Sequence, residues 1–215
     1  MVFHIICNFP DSFRSYFETS IPKNAMLKWV YETRFYNLWD YSDSKTRRID
    51  DRPYGWLPWT IIKAPIIAKA LDEILEKNEV DDIIFLWPRW NELDQETLED
   101  IAYKSKDMVL ICWHYEGIDE RIMELYDIKT VSIGKYVLSS WELAAMVLMD
   151  WIIRLLPWVL NPESLREESF SDTLGRKKEY PQYTRPEEYK WLKVPAELLS
   201  WDPKKIEAWK KRFIK

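Results

Sequence analysis

Met108-Val109-Leu110-Ile111-Cys112-Trp113-His114-Tyr115-Glu116-Gly117-Ile118-Asp119-Glu120-Arg121 is the stretch on which the fold turns. Met108–Cys112 is a short apolar run and reads as a strand. A polar turn containing Gly117 follows, and a helix is predicted over Asp119–Tyr126. The same alternation extends outward on both sides. Upstream lie a strand at Val2–Cys7, a helix at Pro10–Phe17, a helix at Ala25–Val30 and a strand at Thr33–Leu38. Asp40–Trp59 reads as a long polar loop. Ala64–Lys77 is predicted helical, with Ile67, Leu71, Ile74 and Leu75 on one face, then Ile83–Leu86 as a strand and Asp94–Tyr103 as a helix. Downstream come a strand at Lys129–Ile133 and a helix over Glu142–Leu156. This β-α-β-α order predicts an α/β fold, a parallel sheet with helices on both faces.

Beyond that helix the pattern fades. Val159–Gln182 is polar and aperiodic and reads as a linker, and the chain after it predicts short helices, including Pro203–Arg212. The expected organisation is a main domain over 1–158, a linker over 159–182 and a small helical domain over 183–215. The apolar stretch Leu143–Leu160 holds Asp150, Arg154 and Pro157, which argues for a buried core helix and against a membrane span.

The 215 residues are 47% hydrophobic and 31% charged, with a formal charge of −5, so the chain is not uniformly basic. Phosphate binding needs only a local patch, and Lys45-Thr46-Arg47-Arg48, Arg176-Lys177-Lys178 and the tail Lys210, Lys211, Arg212 and Lys215 supply candidates. Any one of them taken alone reads better as a solvated charged face. Cys7 and Cys112 lie in apolar runs without metal or disulfide spacing and are expected as buried thiols in a reducing cytoplasm. His4 and His114 are too scattered for a zinc site, so no metal site is read from the residues.

The residue usage is abnormal in one respect. There are 13 Trp and 4 Gly, where a globular chain of this length carries roughly fifteen glycines. Trp56 and Trp59 stand in a turn-rich loop, Trp90 follows a predicted strand, and Trp201 precedes a helix. Such turns ordinarily need a residue that tolerates positive φ.

Four segments carry specific information: Asp50-Asp51-Arg52-Pro53-Tyr54-Gly55, then Trp113 to Arg121, then Ser132-Ile133-Gly134-Lys135-Tyr136-Val137-Leu138-Ser139, and Tyr180-Pro181-Gln182-Tyr183-Thr184-Arg185-Pro186. In order and spacing they resemble the bacterial tRNA (guanine-N1)-methyltransferase family, TrmD type, of the SPOUT class. The resemblance covers nearly the whole chain. It implies a deep trefoil knot in the α/β domain, a homodimer with the site where two knots meet, and transfer of a methyl group to the guanine 3′ of the anticodon. It also places Trp29, Trp56, Trp59, Trp90, Trp113, Trp141, Trp158, Trp191 and Trp201 where the family carries glycine, whereas Trp209 matches a family tryptophan. We read this as a gene from an organism that decodes UGA as glycine, translated here with UGA as tryptophan. The rival reading takes the tryptophans as native.

The implied methyl donor is S-adenosylmethionine, held by the backbone of three loops. In this chain the matching residues are Leu86, Pro88, Trp113, Tyr115, Glu116, Ile133, Gly134, Lys135, Tyr136, Val137, Leu138 and Trp141. Ser140 departs from a usual glycine and Lys135 from a commonly acidic residue. Guanine N1 carries a proton, so its methylation needs a base there and a donor for charge developing on O6. The family's arginine matches Arg154, and its aspartate base best matches Glu168, one methylene longer. Without the resemblance, Asp150 and Arg154 read as an i,i+4 helix pair and Glu168 as solvated linker. Glu116 reads as a turn-orienting residue or as a contact to the donor's methionine end. Arg47, Arg48, Arg52 and Arg185 are the expected RNA contacts. Members of the family often use a divalent ion, magnesium being the expectation. The alternatives are a knotted methyltransferase acting on another RNA and a non-catalytic aromatic-rich RNA-binding protein.

Overall fold

Val2–Cys7 (β1) sets Phe3, His4, Ile5 and Ile6 in an unbroken row, and every residue after Val2 is buried. Successive strand side chains point to opposite faces, so such a row needs cover on both sides. The computed structural model describes residues 1–55, 57–89 and 92–214; Trp56, Trp90, Asn91 and Lys215 lie outside the described residues. It divides into two compact units, Met1–Val159 and Leu160–Lys215.

In the first unit β1 is followed by a 3-10 turn at Pro10–Phe13, α1 (Arg14–Phe17), α2 (Ser20–Leu27) and β2 (Glu32–Asn37). A short antiparallel pair comes next, β3 (Asp50–Asp51) with β4 (Ile61–Ile62). Then follow α3 (Ala64–Lys77), β5 (Asp82–Leu86), α4 (Gln95–Lys104), β6 (Asp107–Ile111), α5 (Arg121–Leu125), β7 (Ile128–Val131) and α6 (Glu142–Leu155). The five long strands form one sheet in the order β2-β1-β6-β5-β7, and every pairing is parallel. β5 is buried along its whole length. The helices fall into two packing groups: α3 meets β1 and α5, while α6 meets α4 and α2.

Local chemistry explains the helix limits. Proline in the first turn starts α3. The Asp94 side chain accepts from the Thr97 N–H at 2.8 Å and caps α4. Asp119 accepts from the Arg121 N–H at 3.1 Å, which holds Asp119 outside α5 and makes that helix shorter than the predicted Asp119–Tyr126. The α2 helix begins earlier than predicted and stops at Leu27. On α3 the buried face is Ala64, Ile66, Ile67, Ala70, Leu71 and Ile74; Leu75 is exposed, one position off the stripe. On α6, Ala144, Ala145, Leu148, Met149, Ile152 and Ile153 are buried, but Leu143 and Val147 are exposed, so it is not the wholly buried helix expected.

Three tryptophans occupy left-handed backbone. Trp29 has φ 60°, Trp158 φ 72° and Trp201 φ 54°. At Trp29 the Val30 N–H reaches the Ala25 carbonyl at 3.0 Å and the Trp29 N–H reaches that of Met26 at 2.9 Å. That pair of bonds is the Schellman ending, whose left-handed position is usually glycine. At Trp158 the Val159 N–H bonds to the Leu156 carbonyl across Pro157 and Trp158. Proline followed by positive φ is the signature of a type II turn, which again calls for glycine. All three indoles are more than four-fifths exposed, so no burial offsets the strain.

The second unit contains α7 (Pro162–Arg166), a 3-10 turn at Asp172–Leu174 closed by left-handed Gly175, the hairpin β8 (Glu188–Tyr189) and β9 (Leu192–Lys193), α8 (Ala196–Leu199) and α9 (Pro203–Phe213). Of the stretch 159–182, read from sequence as linker, residues 160–182 group with this unit and are partly helical. The unit is not purely helical either, because it carries the hairpin. Its core is Trp209, 3% exposed, in ring contact with Tyr180, Tyr183 and Phe213.

Candidate active site

In a parallel sheet the loops leaving the carboxyl ends of adjacent strands gather on one edge, where α/β folds place their ligands. β6, β5 and β7 are neighbours here, so the loops that follow them converge. Backbone bonds lock them together. The Trp87 N–H donates to the Val131 carbonyl at 2.8 Å, and the Leu93 N–H donates to that of Ser132 at 2.8 Å. The three loop segments predicted from sequence, from Leu86 and Pro88, from Trp113 to Glu116 and from Ile133 to Leu138, therefore meet in one place. The β6 loop is also tied to the Asp50 motif. Ile62 bonds to Gly117 and Asp119 through backbone groups, and Asp50 pairs with Ile62. Two of the four sequence motifs thus adjoin.

The middle of this convergence is filled. Trp113 is 4% exposed and its indole N–H donates to the Leu86 carbonyl at 2.8 Å. The ring stacks on Trp141, centroids 4.8 Å apart and planes 15° apart, with Phe85 at 6.0 Å and Trp87 at 6.3 Å around it. Trp141 is itself 3% exposed. The rim is open: Tyr115, Glu116, Lys135, Tyr136 and Val137 are exposed, and Ile133, Gly134 and Leu138 are half-buried. Lys135 pairs with Glu92 at 3.3 Å. Gly134 has φ 149°, and a Cβ there would sit 2.4 Å from the Tyr136 ring, so this glycine cannot be replaced without moving that ring.

Under the rim lies a polar group that sequence reading missed. Glu142, wholly buried, accepts from His114 Nε2 at 2.9 Å and Ser140 Oγ at 2.7 Å. Burial alone would raise its carboxyl, but the bonds from His114 and Ser140 and the charge on His114 outweigh it and hold the group below the usual glutamate range. A glutamate at a helix start reads as an ordinary first-turn acid; the signal available in sequence was a histidine inside the loop motif.

Arg154 lies in the last turn of α6, half-buried, and Glu168 is half-buried in the second unit. Asp150 accepts a hydrogen bond from Tyr16 Oη at 2.7 Å, which pushes the Tyr16 hydroxyl up to about 12. Glu167 is held by Tyr180 and Lys210, each at 2.5 Å; the Lys210 bond is the main cause that lowers its carboxyl. Of the expected RNA contacts, Arg47 is ion-paired to Asp40, Arg48 pairs with Asp51 at 3.3 Å, and Arg52 and Arg185 are exposed. Cys7 and Cys112 are free and buried, and burial drives both thiols upward. Among the described residues no group of His, Cys, Asp and Glu is arranged to hold a metal ion, and no helix is long and apolar enough to cross a membrane.

A five-stranded parallel sheet with its loops joined over the carboxyl ends of β5, β6 and β7 makes this an α/β protein whose joined loops lie where such folds place ligands. Comparison with known proteins is more specific. The family profile described as tRNA (Guanine-1)-methyltransferase TrmD matches residues 1–214, and the chain belongs to that family. It is 41% identical over 214 residues to the tRNA (guanine-N(1)-)-methyltransferase of Clostridioides difficile (strain 630), covering 98% of this chain and 91% of that protein. It is 42% identical over 211 residues to the protein of the same name from Borrelia hermsii (98% and 86%), and 38% identical over 208 to that from Ehrlichia canis (96% and 87%).

Proposed function

We propose that this protein is an enzyme that methylates N1 of the guanine 3′ of the anticodon of tRNA, with S-adenosylmethionine as donor, in the cytoplasm. The observation that carries the reading is the family match over residues 1–214, together with the three expected loops meeting at one sheet edge.

The donor does not fit the site while the Trp113 indole, stacked on Trp141, takes up the space between the loops. We therefore extend the proposal to the tryptophans: Trp113 and Trp141, like Trp29, Trp158 and Trp201, stand for glycines recoded from UGA. Left-handed backbone at the three exposed positions supports this independently of any family. Trp59 and Trp191 belong to the same set; Trp56 and Trp90 lie outside the described residues. High exposure of Trp29, Trp158, Trp191 and Trp201 is what favours the rival, a non-catalytic RNA-binding protein. Codon identity separates the two.

Glu168 removes the N1 proton and Arg154 donates to O6 as charge grows there. Glu167 is the poorer base, since Tyr180 and Lys210 stabilise its ionised form. The guanine leaves the anticodon stack to reach these groups. Arg47, Arg48, Arg52 and Arg185 hold the RNA backbone. We also propose the deep trefoil knot and the homodimer. Arg154 lies twelve residues from Glu142, or roughly 18 Å along α6, too far to serve the donor end within one chain. An antiparallel second copy would bring it there, and α6 offers the surface: Leu143, Met146, Val147 and Trp151 with Tyr16 line a groove of about 480 Å³. The 1–158, 159–182 and 183–215 division keeps its proposed roles of donor binding, base and tRNA binding. Magnesium is implied by the family, and no group of His, Cys, Asp and Glu among the described residues is arranged to hold it.

The test uses the full chain with Trp113→Gly and Trp141→Gly, labelled donor and bulk tRNA, followed by mapping of the modified base. Label on N1 of the guanine 3′ of the anticodon is expected. Adding Arg154→Ala should slow transfer by about 10²–10³ while donor affinity holds; equal loss of both would reject its role.

A further inference from the structure

Glu142 is a fully buried carboxylate bonded from three separate loops. The Phe9 N–H, in the loop after β1, donates to it at 3.2 Å. His114, in the loop after β6, reaches both oxygens, at 3.1 and 2.9 Å. Ser140, in the loop after β7, donates at 2.7 Å. The Phe9 ring closes over the imidazole edge-on, centroids 4.9 Å apart, and meets Trp39 at 5.2 Å. His114 stands between Trp113 and Tyr115, and Ser140 adjoins Trp141, so this carboxylate grips the two loops whose backbone is to hold the donor. A carboxylate hydrogen-bonded in this way has one good geometry, and losing a partner leaves a buried charge unpaired.

We propose that Glu142 is a positioning residue: through His114, Ser140 and the Phe9 amide it fixes three loops in the arrangement that donor binding requires. This rests on the function above only for the donor; the locking of the loops stands on the geometry alone. The carboxylate does not touch the reacting atoms. Its effect falls on donor affinity and not on the methyl-transfer step.

Hydrogen exchange on the chain as it stands tests the locking. Glu142→Gln should speed exchange together in 8–12, 113–118 and 132–141, with α3 and the second unit unchanged. Unchanged exchange, a response in one loop only, or a uniform rise across the first unit would overturn the proposal. His114→Ala and Ser140→Ala each remove one donor; they should give the same pattern at lower amplitude, and they serve if Glu142→Gln fails to fold. His114→Gln, which keeps an N–H donor in place of the imidazole, should restore protection relative to His114→Ala. In the chain carrying Trp113→Gly and Trp141→Gly, Glu142→Gln should raise the donor Kd about tenfold or more with transfer at saturating donor within about twofold. A fall in transfer rate with no change in Kd contradicts the proposal. If the glycine chain itself binds no donor, the functional reading has failed, and exchange alone decides on Glu142.

Discussion

Trp113 in the first unit and Trp209 in the second are equally buried, 4% and 3% exposed, yet they are different kinds of tryptophan. Trp209 sits within α9, one turn before Phe213, and its ring is enclosed by Tyr180 and Tyr183 from the chain that precedes the helix. It is the core of a small unit that has little else to bury. Trp113 sits in the loop after β6, and its indole N–H takes the Leu86 carbonyl at the end of β5. One ring packs elements together; the other plugs the gap between loops. Burial does not tell these roles apart, but the backbone position does.

Trp209→Ala should cost about 3–5 kcal/mol, read as loss of the second unit's cooperative unfolding transition. A change well under that would mean Trp209 is no more a core residue than Trp113. A smaller effect of opposite sign is expected at the exposed positions. Trp29→Gly, Trp158→Gly and Trp201→Gly should each stabilise by about 1 kcal/mol, seen as a higher urea midpoint, because left-handed backbone strain is relieved and no packing is lost. Destabilisation at all three would remove the argument that these turns were built for glycine. The smallest effect is in acid. The Glu142 carboxyl is held below its unfolded value, so its contribution is present above the ordinary glutamate range and lost as pH falls through its folded value. Acid unfolding of Glu142→Gln should lack that component; identical acid limbs would contradict the assigned bonding.

Much of the first unit is legible in sequence because its strands are continuous apolar runs and its helices periodic. Val2–Cys7 as β1 and Ala64–Lys77 as α3 coincide with their predicted limits. Leu75 misled because a leucine beside the stripe looks like part of it. The β8–β9 hairpin is not legible: both residues of each strand are exposed, so no alternation marks them. Segment 160–182 looked like linker because its order comes from local polar bonds, such as Ser171 Oγ to the Arg166 carbonyl at 3.1 Å, and not from an apolar pattern. The loops that meet over β5, β6 and β7 are marked in sequence by the motifs that carry the resemblance, whereas Glu142 is invisible there because burial and convergence of three loops are properties of the fold.

Trp113 and Trp141 fill the site we propose for the donor. Calorimetric titration of S-adenosylmethionine into the chain as it stands, and into the chain with Trp113→Gly and Trp141→Gly, tests it most directly. The account predicts no binding to the first up to about 1 mM and binding to the second at about micromolar strength. Tight binding to the unsubstituted chain, or none to a folded glycine chain, would contradict it.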